Sequence, residues 1–317
     1  MKQILIALAM VCCFAMPVHG ANPEELTAVG KTVGIRLQED GVTITGFTEE
    51  SEAAASGLQV GDRIVKINME EIRSAADVKS LVASGGQFTV TVERDGKTAE
   101  YLLEPAEQDG AYMLGIKIRD SIAGIGTVTY YDSDTGEFGA LGHGVCGTNG
   151  GKLLEMTEGE IIPSVVTAVE KGKRGYAGQL QGTFENETTI GTVEKNTSRG
   201  IFGTMAAGQE LGTVCTVGEK ADVSTGAATI RSNVDGDTVA EYDVEILKIY
   251  PTESERNMLL KVTDRELLNQ TGGIVQGMSG SPIIQDGKLV GAVTHVLVND
   301  PTRGYGIFIE NMLDAAG

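Results

Sequence analysis

The feature that most limits the fold of this chain is the absence of any long amphipathic helix beyond residue 110. Short apolar segments are instead separated by Gly, Asn and Asp at intervals typical of a β-barrel or a β-sandwich. The chain holds 43 glycines and no tryptophan, which favours strands and turns over helical bundles. The pattern predicts a mainly β protein, and its clearest strand segments are Leu114–Ile118, Gly126–Tyr131, Ile161–Val169, Thr189–Val193 and Asp243–Ile249.

The part before this region, residues 21–105, reads as a small α/β module. Two short strands are expected at Val33–Leu37 and Gly41–Gly46, and a later strand alternates over Asp62–Asn68. Ser74 can cap a helix that ends before the next pair of glycines. The polar residues 106–115 are expected to form a linker, and residues 116–317 a second domain.

The first 20 residues differ in kind from the rest. Lys2 precedes an apolar run, Ile4–Met16, that is too short to span a bilayer comfortably. Val18 and Gly20 suit the positions before a signal cleavage site. We therefore expect an export signal over residues 1–20, with an uncleaved anchor as the alternative.

The net charge limits the classes of binding partner, and the remaining cysteines limit the possible disulfides. A formal charge of −19 argues against nucleic acid and against an anionic membrane surface. Cys146 and Cys215 lie outside the signal, and an oxidising compartment would permit a disulfide between them. Two free thiols are the alternative. No metal-ligand spacing is present, so neither a metal nor another cofactor is expected.

A candidate nucleophile, Ser279, stands between glycines in the stretch Gly272–Pro282. Glycine at 277 and 280 lets substrate approach closely and leaves backbone N–H groups free to face a developing oxyanion. The same pattern also occurs in tight turns between strands.

The chain offers few partners for such a serine. His143 follows an apolar strand and is flanked by glycines, so it can reach a hydroxyl, whereas His295 lies in mid-strand and ranks second. Asp264 can be either an orienting acid or a helix N-cap, and residue chemistry alone does not decide between these roles. The aspartates between His143 and Ser279 are Asp222, Asp235, Asp237, Asp243 and Asp264.

The N-terminal module resembles a PDZ domain of the bacterial protease-associated type. The resemblance rests on Ser56–Ile64 followed by Ile67-Asn68. Such domains bind an extended peptide by β-augmentation and hold its carboxylate with backbone N–H groups. The resemblance implies a carboxylate loop at Val33, Gly34 and Ile35. The alternative is a module that packs on its neighbour and binds nothing.

The whole order of motifs resembles the SpoIVB serine peptidase family. It rests on the PDZ-like segment, Ala140–Gly144, Thr271–Pro282, Gly291–Val296 and Val298–Thr302. The resemblance implies a chymotrypsin-like double β-barrel in which His143, Asp264 and Ser279 act as base, acid and nucleophile. Backbone N–H groups of Gly277 and Ser279 would then form the oxyanion hole.

The same resemblance implies a biological role. Members are exported into the space between the two forespore membranes, cleave themselves, and cleave the extracytoplasmic part of a membrane-bound inhibitor. An intramembrane protease is thereby released to mature the late mother-cell sigma factor, and the PDZ domain takes part in self-recognition. The alternatives are a non-catalytic PDZ adaptor with a peptidase-like barrel and a degradative protease of the HtrA kind. The last places its PDZ domain after the protease, unlike this chain.

Overall fold

The computed structural model describes residues 22–49, 51–108, 110–147, 151–184, 188–206 and 212–317. The expected export signal, residues 1–20, lies outside the described residues. Within the described ranges, no helix combines the length and apolar character needed to cross a bilayer.

Strands dominate the chain, as the spacing of apolar segments predicts. The strands are β1 Glu25–Ala28, β2 Thr32–Phe47, β3 Arg63–Ile67, β4 Glu70–Glu71, β5 Phe88–Arg94, β6 Lys97–Leu103, β7 Ala106–Gln108, β8 Ala111–Met113, β9 Ile116–Tyr131, β10 Glu137–Ala140, β11 Met156–Glu170, β12 Gln179–Phe184, β13 Gly191–Thr197, β14 Gly200–Met205, β15 Thr213–Val217, β16 Gly226–Asp235, β17 Thr238–Ile249, β18 Met258–Val262, β19 Pro282–Gln285, β20 Lys288–Val296 and β21 Arg303–Phe308. The helices are α1 Glu52–Ala55, α2 Ala75–Val82, α3 Arg265–Thr271 and α4 Ile309–Ala316.

The first barrel closes through six strands. Its pairings run β2–β9–β10–β14–β13–β11 and return to β2, each antiparallel. Alternate residues of these strands point inward, because successive side chains of a strand face opposite sides. The interior is filled by a cluster that includes Val33, Leu37, Phe138, Ile161 and Ile201.

A second barrel closes in the same manner. Its pairings run β16–β17–β18–β21–β20–β19 and return to β16. Its core includes Ile230, Ile246, Leu260, Met278 and Phe308. Strands β1 and β15 join the two barrels, since β1 pairs with β9 and β15, and β15 runs parallel to β20. The predicted double β-barrel is confirmed.

The PDZ region projects from the first barrel. Strands β2 and β9 extend beyond the barrel, and Thr43, Ile44 and Phe47 still pair with the start of β9. Strands β3, β5 and β6 continue this sheet. Helix α2 begins with a capping box in which Ser74 and Asp77 each bond to the other's backbone, as expected for a Ser-capped helix.

The junction between the barrel and the PDZ region is held by a buried carboxylate. Strand β2 bulges between Gln38 and Thr43, and Glu39 within the bulge is only 5 % exposed. Arg119 donates two hydrogen bonds to Glu39, at 2.8 and 3.0 Å, and the Thr43 hydroxyl donates a third at 2.5 Å. A buried carboxylate with this many donors fixes its neighbours, because removal of one partner would leave a buried charge uncompensated.

The structure corrects the predicted domain boundaries. Residues 25–38 lie in the first barrel and not in a PDZ domain that begins at residue 21. Residues 106–115 are not a plain linker, since β7 and β8 pair as a hairpin. The PDZ region is therefore an insertion between two neighbouring strands of the first barrel. The sequence does not reveal this arrangement, because a strand pattern does not show which strand it pairs with.

Candidate active site

The cleft between the two barrels holds Ser279 and both histidines that follow the signal segment. Its volume is about 510 Å³ and most of its lining is aliphatic. The first barrel contributes Ile35, Leu37, Ile122, Ile125 and Leu141, and the second barrel contributes Ile274, Val275, Val296 and Val298. Ligand sites in proteins commonly combine such apolar walls with a few polar groups.

Ser279 stands on a loop whose shape requires glycine. The loop leaves α3 at Gly272 and enters β19 at Pro282. Gly277 and Gly280 have φ of 100° and 99°, a region that favours glycine. A Cβ on Gly280 would also collide with the carbonyl oxygen of Thr127. Met278 is fully buried between them and anchors the loop in the second core.

The two N–H groups predicted to form an oxyanion hole are available. Within the described residues, neither the Gly277 N–H nor the Ser279 N–H donates a hydrogen bond. Both residues line the cleft. Free N–H groups beside a candidate nucleophile can stabilise a developing oxyanion.

The Ser279 hydroxyl is not bonded to a histidine. It donates a 2.6 Å hydrogen bond to the Thr294 carbonyl oxygen in β20. Catalytic hydrogen bonds in unliganded enzymes are often absent and form only when substrate binds. Attack by Ser279 therefore requires the hydroxyl to leave Thr294 first.

His143 is held in a defined orientation by its own neighbour. Its Nδ1 lies 2.9 Å from the Gly144 carbonyl oxygen. A carbonyl oxygen can only accept, so Nδ1 carries the proton and Nε2 is the basic nitrogen. Burial lowers the pKa of His143, and the bond to Gly144 opposes this shift. The imidazole is thus neutral and ready to accept a proton at neutral pH.

His295 lies beside His143 and lines the same cleft. The two ring centroids are 5.0 Å apart, with planes tilted by 40°. Burial, followed by the nearby His143 and Arg256, lowers the pKa of His295 to about 4. Its Nδ1 is buried and has no hydrogen-bond partner among the described residues. Sequence reasoning ranked His295 second as a base, and the structure brings both histidines into the cleft.

Asp264 occupies the helix-cap position and not the position of an orienting acid. Its carboxylate accepts a 2.8 Å hydrogen bond from the Leu267 N–H at the start of α3. Asp264 is absent from the cleft lining, and no described carboxylate bonds to either imidazole. The structure does not assemble the expected His-Asp-Ser arrangement.

Two of the other candidate aspartates form ion pairs with lysines. Asp237, at the tip of the β16–β17 hairpin, pairs with Lys31. Asp222 pairs with Lys288 at 2.8 Å. The Asp243 carbonyl accepts the N–H groups of Thr263 and Asp264.

The cysteines do not meet. Cys146 is exposed at the cleft, whereas Cys215 is buried in β15 opposite Leu26 of β1. Both are free cysteines, so the permitted disulfide is not formed. Within the described parts of the chain, His, Cys, Asp and Glu form no cluster suited to a metal ion.

The predicted PDZ carboxylate loop was wrong. Val33, Gly34 and Ile35 lie inside β2 and pair with β9 on one side and β11 on the other. Strand pairing on both edges leaves no row of free N–H groups for a carboxylate. Within the described residues, the sheet edge beside α2 that stays unpaired is the start of β9, Ile116–Arg119.

A model of the SpoIVB peptidase S55 family matches residues 110–313, and a PDZ domain model matches residues 43–94. The chain belongs to the SpoIVB peptidase S55 family. The PDZ match begins at the point where β2 leaves the first barrel, in agreement with the structure.

Several relatives align over parts of this chain. A DegP-like probable periplasmic serine endoprotease of Rhizobium meliloti is 30 % identical over 105 residues, which covers 33 % of this chain and 19 % of the relative. The serine endoprotease DegS of Haemophilus influenzae is 40 % identical over 62 residues, covering 19 % and 18 %. A putative zinc metalloprotease of Agrobacterium fabrum is 28 % identical over 181 residues, covering 56 % and 41 %. The chain therefore spans less than half of each of these relatives.

Two solved structures align with parts of this chain. A PDZ domain of an SdrC-like protein from Listeria monocytogenes covers 26 % of this chain and 90 % of its own, with a TM-score of 0.24 and 21 % identity. The inactive form of the Rv3671c protease covers 62 % and 85 %, with a TM-score of 0.36 and 14 % identity. The family and the alignments with serine endoproteases together support a serine peptidase.

Proposed function

We propose that this chain is an exported serine endopeptidase in which Ser279 is the nucleophile and His143 the general base. The observation that carries the proposal is that one apolar cleft brings together Ser279, an oriented neutral His143 and two unbonded N–H groups.

The chemistry follows from these positions. His143 Nε2 takes the Ser279 proton while Oγ attacks the scissile carbonyl carbon, and the N–H groups of Gly277 and Ser279 hold the resulting oxyanion. The imidazolium then gives its proton to the leaving amine, and the C–N bond breaks. Water attacks the acyl-enzyme with Nε2 again as base, which releases the acid product and restores Ser279.

The Gly144 carbonyl takes the place that a carboxylate holds in most serine peptidases. It fixes the tautomer of His143 and stabilises the proton on Nδ1. We assign Asp264 to the cap of α3, because its movement to His143 would leave the Leu267 N–H without its acceptor.

The proposed substrate is the extracytoplasmic part of a membrane-bound inhibitor, together with a second copy of the chain in self-cleavage. Cleavage would release an intramembrane protease that matures the late mother-cell sigma factor, in the space between the forespore membranes. Family membership supports this role. The unpaired edge of β9 beside α2 supports recognition of an extended segment by the PDZ region.

The test uses residues 21–317 and a fluorophosphonate probe, which reacts with activated serines. We expect labelling and self-trimming of the native chain, and loss of both in Ser279→Ala with an unchanged circular dichroism spectrum. Labelling that persists in Ser279→Ala would assign the reaction to another residue.

One observation favours a second candidate, a non-catalytic PDZ adaptor. The Ser279 hydroxyl is bonded to Thr294 and not to His143. For an adaptor, the native chain would bind the inhibitor segment, leave it intact, and fail to label.

A further inference from the structure

One buried threonine contacts both loops of the candidate site. Thr127 lies in β9 and is fully buried. Its hydroxyl donates a 2.7 Å hydrogen bond to the Gly277 carbonyl, and its N–H donates a 3.0 Å bond to the Ser279 carbonyl. Its own carbonyl accepts the Leu141 N–H at 3.2 Å, two residues before His143. Thr127 therefore connects the loop that carries Ser279 to the loop that carries His143.

The direction of the oxyanion N–H groups depends on the peptide planes around them. In a trans peptide, the C=O and the following N–H point in opposite directions. Leu180 N–H holds the Gln276 carbonyl at 2.8 Å, and Ser281 N–H holds the Met278 carbonyl at 3.0 Å. Because these bonds fix the Gln276 and Met278 carbonyls, they point the N–H groups of Gly277 and Ser279 in the opposite direction to those carbonyls.

Gly277 is the residue of this loop whose backbone can change conformation most easily. It has no side chain, and its φ of 100° lies in a region that glycine enters and leaves easily. The peptide after Gly277 is held by the Thr127 hydroxyl. Among the described residues, the other bonds that hold the carbonyls of residues 276 to 279 come from backbone N–H groups, and this one alone comes from a side chain.

We propose that Thr127 is a positioning residue that keeps the Gly277 and Ser279 N–H groups aimed at the oxyanion. The inference rests on the proposed serine peptidase function and adds a residue that does not touch substrate. Its side chain acts through the Gly277 carbonyl, and its backbone acts through the Ser279 carbonyl.

The chain offers a matched control two residues away. Thr129 lies in the same strand and is also fully buried. Strand β9 bulges between Val128 and Tyr130, so the control matches Thr127 in residue type and burial rather than in the direction of its side chain. Unlike Thr127, the Thr129 hydroxyl has no hydrogen-bond partner among the described residues.

The experiment compares Thr127→Val, Thr127→Ser and Thr129→Val in residues 21–317. The maximal inactivation rate and the concentration for half-maximal rate are measured with the fluorophosphonate probe, alongside thermal unfolding. We expect Thr127→Val to lower the maximal rate about 10- to 100-fold, somewhat less than removal of a whole oxyanion donor. The half-maximal concentration should stay unchanged, Thr127→Ser should restore the rate, and Thr129→Val should match the native chain.

Three results would overturn the inference while leaving the proposed function intact. They are a native rate in Thr127→Val, equal losses in both valine variants, or no recovery in Thr127→Ser, each with Ser279→Ala inactive. Activity that survives in Ser279→Ala would instead reject the proposed function itself.

Discussion

At the scale of single residues, the proposed site differs from a Ser-His-Asp triad in how the proposed base, His143, is oriented. Among the described residues, His143 bonds only to the Gly144 carbonyl, and this part of the loop is fixed by Asn196. The Asn196 side chain accepts from the Val145 N–H at 2.9 Å and donates to the Val145 carbonyl at 2.8 Å. A neutral acceptor can orient an imidazole, but it stabilises imidazolium less than a carboxylate does.

The pH dependence of labelling should report this difference. Burial lowers the pKa of His143, so the base becomes neutral below the ordinary value of about 6.5. We expect the labelling rate to rise with pH to a half-maximum below that value and then to stay level through neutrality. A carboxylate partner would raise the pKa. A half-maximum at or above pH 7 would therefore contradict orientation by Gly144.

Asp264 can be tested with two substitutions that separate its two roles. Asn caps helices about as well as Asp, whereas Ala does not. We expect Asp264→Asn to keep both stability and labelling, and Asp264→Ala to lower the free energy of unfolding by about 1 kcal/mol. Thermal unfolding and the labelling rate are the measurements. If Asp264→Asn unfolds normally but loses labelling, the carboxylate is part of the catalytic machinery.

At the scale of elements, sequence patterns predicted the existence of strands better than their partners. Short apolar segments predicted β3, β11 and β17, and the glycine-flanked Ser279 and His143 were found from their surroundings. The prediction of a carboxylate loop at Val33–Ile35 was wrong because these residues pair with β11, more than a hundred residues away. The local sequence does not indicate such a pairing.

Two site features had no local signature for a related reason. The Thr127 hydroxyl bonds to a carbonyl 150 residues away in sequence. In the sequence alone, Thr127 therefore looks like any other β-branched residue of a strand. Asp264 precedes a helix in a way that suits a cap and an acid equally well, and only the fold decides between them. Local chemistry identifies groups able to react, whereas topology determines which of them meet.

At the scale of the whole molecule, the PDZ region is an insertion whose two ends are neighbours. Gln38 and Ser121 face each other in the β2–β9 ladder, so the barrel continues on one side of this pair and the PDZ region on the other. The same two strands line the cleft through Ile35, Leu37 and Ile122.

This arrangement predicts which deletions the peptidase tolerates. Replacement of residues 39–120 by Asn-Gly should join Gln38 to Ser121 by a two-residue hairpin turn. We expect this chain to unfold cooperatively and to retain labelling of Ser279. Deletion of residues 21–105 removes β1 and β2 and should abolish folding. The idea fails if the larger N-terminal deletion labels and the hairpin replacement does not.

The insertion also favours one order of folding. Closing the first barrel brings together Gln38 and Ser121, which are separated by roughly 80 residues. For a flexible chain of that length, loop closure would cost about 4 kcal/mol beyond a constant. A PDZ region that folds first already holds its two ends at strand spacing, so most of this entropy is lost before the barrel forms. In that order of folding, the cleft that holds Ser279 is completed after the PDZ region has formed.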